Sequence, residues 1–462
     1  MGLHNSSQKS LENNEGQKDY SRAVFESIYR RINQSNQTKY DHYFRRLVLK
    51  IQNDILWFDK EAFFAMGDIR ESVKKIMVLM GKEFAWKMAM PSYFCKGNVL
   101  ETCDHIISLA HTTYATERNF FKKMLSSEEL LDEEVDAGEN NPPIDSEKDS
   151  KLQELLKQSD AAESEAVVEA EKLKERVLAL VSAGEVDEKV AIAFLGRFVG
   201  FGDQNETMYP IYRMLTKNME NISDELTIQK DKEFVRVLDD LKGSMPENVR
   251  YDKKNVSYRF GHKEGPCSYR IYISPKISTM PGGLMGVLER CLKKAGCPTV
   301  SHKTFKHLQF RNDQIVIYSS GEEGKSVELA LRLFMEECPQ EWISDESLST
   351  GMEIRPGITF GVEPNGLNNL ANRIMGDRYR NLDSFSYNSL IALITAMAYG
   401  FAYYDQYKGQ KNESFSFDEL QEGAYGYFTQ MLKMTNINPA TMMPMDLNEG
   451  QIPEWVKNLI KD

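Results

Sequence analysis

The chain has 462 residues, 41% hydrophobic and 27% charged, with a formal net charge of −12. That length predicts two or three domains, and that balance is ordinary for a globular protein. No run of eighteen apolar residues occurs, which argues against an integral membrane span.

The start, MGLHNSSQKSLENNEGQKD, is polar and lacks the apolar stretch of a secretory signal. Gly2 and Ser6 fit the loose pattern for N-myristoylation, but a frayed polar terminus is the preferred reading. The six cysteines, Cys95, Cys103, Cys267, Cys291, Cys297 and Cys338, form no CxxC pair and no zinc-finger spacing with histidine. They read as reduced thiols of a cytoplasmic protein, with no metal expected.

Residues 1–125 read as a helical region. KYDHYFRRLVLKIQNDILWFDKEAFFAMGDIRESVKKIMVLM carries apolar residues every three or four positions, with Asp41 as a helix cap, and that stripe reads as core. Residues 126–150 form an acidic linker broken by Gly138 and Pro142–Pro143. Residues 151–245 are helical again, AAESEAVVEAEKLKERVLALV being rich in helix formers. A further domain spans 250–440, and 441–462 is a tail with a short helix.

Within 250–440 the texture changes. VSYRFGHK and CSYRIYISP alternate and are expected to pair around GHKEGP. PGGLMGVLERCLKKAG is a helix ended by Gly296. TVSHKTFKHLQF and DQIVIYSS are two strands joined at Arg311–Asn312. GKSVELALRLFMEECP is a helix stopped by Pro339. Then come a Gly/Pro-rich loop region, 350–382, and helices near 383–404 and 416–434. The fold class is therefore α+β: a helical N-terminal half, then an antiparallel sheet with helices packed on one face.

Charge is unevenly spread. Glu128–Glu165 holds 14 acids and three lysines, whereas Tyr251–Lys325 holds 13 Lys or Arg and six acids. A basic segment in an acidic chain suggests a local anion site and argues against nucleic acid as a partner. In SHKTFKHLQF, strand alternation puts Lys303, Phe305 and His307 on one side, and His302, Thr304 and Lys306 on the other. Arg270, Tyr272 and Lys276 lie on the neighbouring strand. Lys, Arg, His and Tyr together suit a phosphoryl group, which Arg holds bidentately and Lys as a point charge. Solvated surface strands also carry such cations, so the strand alone does not decide. The loop 350–382 adds Arg355, Glu363, Arg373, Arg378 and Arg380, and would close a pocket over the sheet. No GxxxxGK[ST] or GxSxG occurs, so nucleotide-dependent and serine-hydrolase chemistry are disfavoured.

The series YRIYISPK, KTFKHLQFRNDQIVIY, CPQEW, IRPGITFGVEP and RIMGDRYR resembles the HopA-type domain, over roughly residues 255–405. That family is named for a plant-pathogen type III effector and has relatives in gene clusters for modified peptides. Arg270 and Tyr272 match its Arg–x–Tyr start, Lys303 or Lys306 its strand lysine, and Arg311, Asp313 and Tyr318 its third motif. Pro356–Gly357 and Glu363–Pro364 match its turn and its Glu–Pro. Ile–Met–Gly at Gly376 departs from its Ser–Phe–Gly, with Arg378 and Arg380 near by.

The resemblance implies a lyase that eliminates phosphate from phosphoserine or phosphothreonine, or an effector-type interaction protein delivered into host cells by a leaderless route. For the lyase, Lys303 or Lys306 is the expected base, its pKa depressed by its neighbours, and His307 or His302 the acid. Arg270, Arg311, Arg378 and Arg380 would hold the phosphate with Tyr272 or Tyr318. Neither cofactor nor metal is implied. The expected partners are a phosphorylated peptide or protein, with a kinase or chaperone.

Overall fold

The computed structural model describes residues 19–34, 97–132, 146–199, 212 and 215–461, with short gaps at 213–214, 219, 221, 245–248, 254–255, 262–266, 281–282, 309–310, 364–385, 408–419 and 446–449. Gly2, Ser6, Cys95, Gly376, Arg373, Arg378 and Arg380, the stretch 35–96 and the centre of the acidic segment lie outside the described residues.

Helix α1 (Tyr20–Gln34) is followed by two long antiparallel partners, α2 (Val99–Asp132) and α3 (Ser146–Ser182), which pack along each other. They enter the expected linker from both sides. Helices α4 (Glu188–Val199) and α5 (Asp224–Ser244) complete the first half.

Strands β1 (Val249–Asp252), β2 (Ser257–Phe260), β3 (Tyr269–Ile273), β4 (His302–Phe305), β5 (Ile315–Ser319), β6 (Met352–Arg355) and β7 (Ile358–Val362) form one antiparallel sheet in the order β1-β2-β4-β5-β3-β7-β6. The α+β class therefore holds. The expected hairpin around GHKEGP does not form: β2 pairs with β1 and β4, and β3 with β5 and β7. The supposed loop after residue 350 begins instead as the β6–β7 hairpin. Its turn, Pro356–Gly357, needs φ +76° at Gly357, where a Cβ would strike the Ser344 carbonyl oxygen.

Helices α6 (Leu284–Lys294) and α7 (Gly324–Glu337) lie between strands in sequence. In α6, Leu284, Val287, Leu288, Cys291 and Leu292 are buried at three- and four-residue intervals, and Gly296 follows at φ +76°. Helix α8 (Tyr387–Tyr407) is buried and mostly apolar on every side over residues 390–399, as a central helix must be. It packs on α9 (Gln421–Met434), and α1 joins them through Phe25, which meets Tyr399 at 5.5 Å and Phe428 at 5.2 Å. Helix α10 (Glu454–Lys461) sets Trp455 against Tyr269 and Phe360 of the sheet.

The sheet thus has two unlike faces. Tyr269, Ile271, Ile273, Ile315, Ile317 and Phe360 join α6, α7 and Trp455 in the main core. The alternate residues Tyr272 and Val316 form a separate small cluster with Leu348 and Tyr318 on the second face. Over part of that face lies the first turn of α8, where a Cβ on Gly361 would meet the rings of Tyr387 and Tyr272. Among the described residues no helix is long and apolar enough to cross a membrane.

Candidate functional site

Register determines which side chains meet on the second face. Arg270 stands opposite Tyr318 on one side and Gly361 on the other; Tyr272 stands opposite Val316 and Thr359. Lys303 stands opposite Val316 and Arg259. The cations gather on two aromatic rings. Arg259 and Arg270 lie 5.1 and 5.2 Å from the Tyr318 ring centre, and Lys303 and Arg311 lie 5.5 and 5.0 Å from that of Phe305. Such stacking holds a cation without neutralising it.

Two carboxylates enter the cluster. Glu363, just past β7, takes both Nε and Nη2 of Arg270, the latter at 2.6 Å. Asp313 takes Nε and Nη2 of Arg311 at 2.6 and 2.7 Å, while Tyr212 accepts a further bond from that guanidinium. Asn388 at the start of α8 donates to Asp313 at 3.4 Å and accepts from Thr350 at 2.8 Å, which fixes its amide. Four cations thus face two carboxylates.

Burial and charge oppose each other here. Burial works against the Arg270 charge, but Tyr272, Tyr318 and Glu363 outweigh it and hold the guanidinium above its ordinary range. The same contest, with Asp313 and Tyr212 as the winners, keeps Arg311 charged. Burial pushes the Asp313 carboxyl up, yet Arg311 prevails and leaves it below the usual carboxylate range. Burial drives the Tyr272 phenol well up, so it is a neutral hydroxyl. Among the described residues neither Tyr272 Oη nor the buried Oγ1 of Thr359 has a hydrogen-bond partner.

The structure therefore brings Arg270, Tyr272, Lys303, Arg311 and Tyr318 to one face. The other expected residues lie elsewhere. His302 points to the opposite face, fully buried, its Nε2 2.8 Å from Glu289 of α6 and its Nδ1 2.9 Å from the Val300 carbonyl. Strand β4 ends at Phe305, so alternation stops there. The Lys306 backbone N–H turns back to the Val256 carbonyl, and the Lys306 charge acts on Tyr258, a residue of the helix-covered face. His307 pairs with Asp231 of α5 at 3.0 Å. Lys276 pairs with Asp345, and Arg355 donates to Gln340.

Arg259, Tyr212, Thr359 and Asn388 escaped the sequence reading. Arg259 was legible as an alternating strand residue; Tyr212 and Asn388 carry no local signal. The thiols are poor nucleophiles: burial pushes Cys103, Cys267 and Cys297 up to about 11 and Cys338 to about 12. Among the described residues no group of three His, Cys, Asp or Glu is placed to hold a metal ion.

No family model matches the chain, and no curated protein matches it. Among solved structures it is similar to the effector protein from Pseudomonas syringae pv. syringae strain 61, at 12% identity over 54% of this chain and 95% of that one, with a TM-score of 0.31. It is also similar to the effector protein from Pseudomonas syringae pv. tomato strain DC3000, at 12% identity over 55% of this chain and 97% of that one, with a TM-score of 0.27. At those values the likeness carries no weight for chemistry.

Proposed function

We propose that the second sheet face binds a phosphorylated Ser or Thr side chain and eliminates its phosphate, as the HopA-type resemblance implies. The observation that carries this reading is that Arg259 and Arg270 share the Tyr318 ring while Lys303 stands directly opposite Arg259. Opposed strand residues have Cβ atoms about 4.5–5.5 Å apart. A phosphoryl group held by the two arginines would therefore keep its peptide within reach of Lys303.

In this reading Lys303 Nζ takes the Cα proton. The C–H electron pair becomes the Cα=Cβ bond, and phosphate departs with the Cβ–O pair, its charge met by the arginines. Arg311 is largely enclosed by Asp313 and Tyr212, so its role is to position Phe305 and Asp313. His302, Lys306 and His307 have no part in it.

A phosphothreonine peptide incubated with the full chain and followed by mass tests this. Elimination gives a product one water lighter than the dephosphorylated peptide. Unchanged peptide, or plain threonine, refutes the chemistry. A second reading, an effector-type interaction protein that binds without turnover, draws on one observation: Arg270 and Arg311 already hold carboxylates, so an incoming anion must share them. Binding of the phosphopeptide with no mass change would select it.

A further inference from the structure

Beyond the Tyr318 ring the second face continues across β4, β2 and β1, and there it carries an uncommon row. Lys303 is opposite Arg259, and Arg259 is opposite Arg250. Like charges directly opposite one another weaken an antiparallel pair. Arg250 and Arg259 are exposed and Lys303 is half-exposed. Among the described residues none of the three has a carboxylate within ion-pair distance, although the field of Lys303 reaches Asp313. Other cations of the same domain do have one: Arg270, Lys276, Lys294 and Arg311 each hold an acid. In a chain of net charge −12 acids are not scarce. On this face of β1 the carboxylate is Asp252, one row away, opposite Ser257.

We propose that the β1 end of this row, Arg250 beside Arg259, receives acidic side chains of the substrate peptide next to its phosphorylated residue, so that the substrate class is an acid-flanked phosphopeptide. This rests on the phosphoryl-binding reading and gives it a direction. The phosphoryl group sits at the Tyr318 end, and the peptide runs across the strands toward the β1 edge. Two strand spacings span about 10 Å, the length of roughly three residues of extended chain. Acidic side chains within about three positions of the phosphoresidue therefore meet the row. Two exposed arginines on an otherwise acidic protein suit a short acidic peptide better than a nucleic acid, whose continuous phosphate charge the rest of the chain repels.

The test is fluorescence polarisation with the full chain and labelled peptides. One carries phosphothreonine in alanine flanks; two carry it with aspartates on the N- or C-terminal side; one is acid-flanked but unphosphorylated. One aspartate-flanked phosphopeptide should bind about tenfold tighter than the alanine-flanked one at low salt, with the preference shrinking as salt rises. Arg250→Glu should abolish the preference and leave the alanine-flanked affinity unchanged, with Arg250→Gln intermediate; circular dichroism verifies the fold. Equal binding of all phosphopeptides, a preference that survives Arg250→Glu, or equal displacement by an oligonucleotide of the same charge overturns the proposal. Failure of the underlying reading looks different: the alanine-flanked phosphopeptide neither binds nor reacts, while the unphosphorylated acidic peptide still binds and Arg250→Glu still weakens it.

Discussion

Tyr272 on β3 and Thr359 on β7 stand directly opposite each other, both buried, and among the described residues neither hydroxyl meets a hydrogen-bond partner. A buried hydroxyl left unpaired costs about 1–3 kcal/mol. Tyr272 lies two residues along β3 from Arg270, on the same face of the sheet. Tyr272→Phe should therefore give an equal or higher urea midpoint and, by removing a donor to the phosphoryl group, roughly tenfold slower phosphate loss. A stable variant with undiminished turnover would make the phenol simple packing.

Lys303 and Lys306 are three residues apart, but Lys303 stands opposite Arg259 whereas the Lys306 charge acts on Tyr258 of the other face. Lys303→Ala should abolish elimination while leaving the fold intact, because its side chain is half-exposed. Lys306→Ala should leave turnover within about twofold, since a surface change away from the site is worth little. Single-turnover phosphate release from both variants separates the two lysines.

His302 gives the complementary case. His302→Ala removes its contacts to Glu289 and the Val300 carbonyl and leaves Glu289 half-buried without that partner. A loss of about 1–3 kcal/mol in denaturant is expected, with turnover per folded molecule unchanged. A large fall in turnover at full stability would return His302 to the chemistry.

Acid should act through Asp313. Its carboxyl is buried, which opposes charge, but Arg311 holds it below its unfolded value of 3.8. A depressed folded pKa contributes stability above the unfolded pKa and loses it as pH falls through the folded one. The pair's contribution should be constant from neutral pH to about 5 and decline below about 4. Asp313→Ala should cost about 3–5 kcal/mol at neutral pH, by stranding a buried guanidinium, and should flatten that acid limb. Urea midpoints across pH measure both effects.

Much of this was legible in the sequence, for reasons that differ by element. The spacing of Leu284, Leu288 and Leu292 and the glycine at 296 are local signals, and α6 follows from them. The alternation of Tyr269, Ile271 and Ile273 marked β3, but not its neighbours. Partner choice is long-range, so β2 and β3 looked like a hairpin when each pairs elsewhere. The hairpin at Pro356–Gly357 was hidden by residues that also suit loops. Within the site, parity put Lys303 on the side away from His302, which is where the register also has it. Parity cannot show where a strand stops: it set Lys306 on the other side from Lys303, but only the end of β4 at Phe305 removes His307 from the face. The carboxylates that temper Arg270 and Arg311 come from a strand exit and a turn. Only the second, two residues from its arginine, lay close enough in sequence to be suspected.

The contacts of α1 have a consequence for how the chain is made. Arg22 bonds to Glu422, a separation of 400 residues, and Phe25 fills a space bounded by Tyr399 and Phe428. On a ribosome this helix emerges long before its partners exist. Its apolar side stays wet until nearly the whole polypeptide has been synthesised, and any early folding must proceed around it. Closure of this long loop is then the late, entropically costly step, and a nascent chain stalled before residue 428 should be prone to aggregation through that waiting surface.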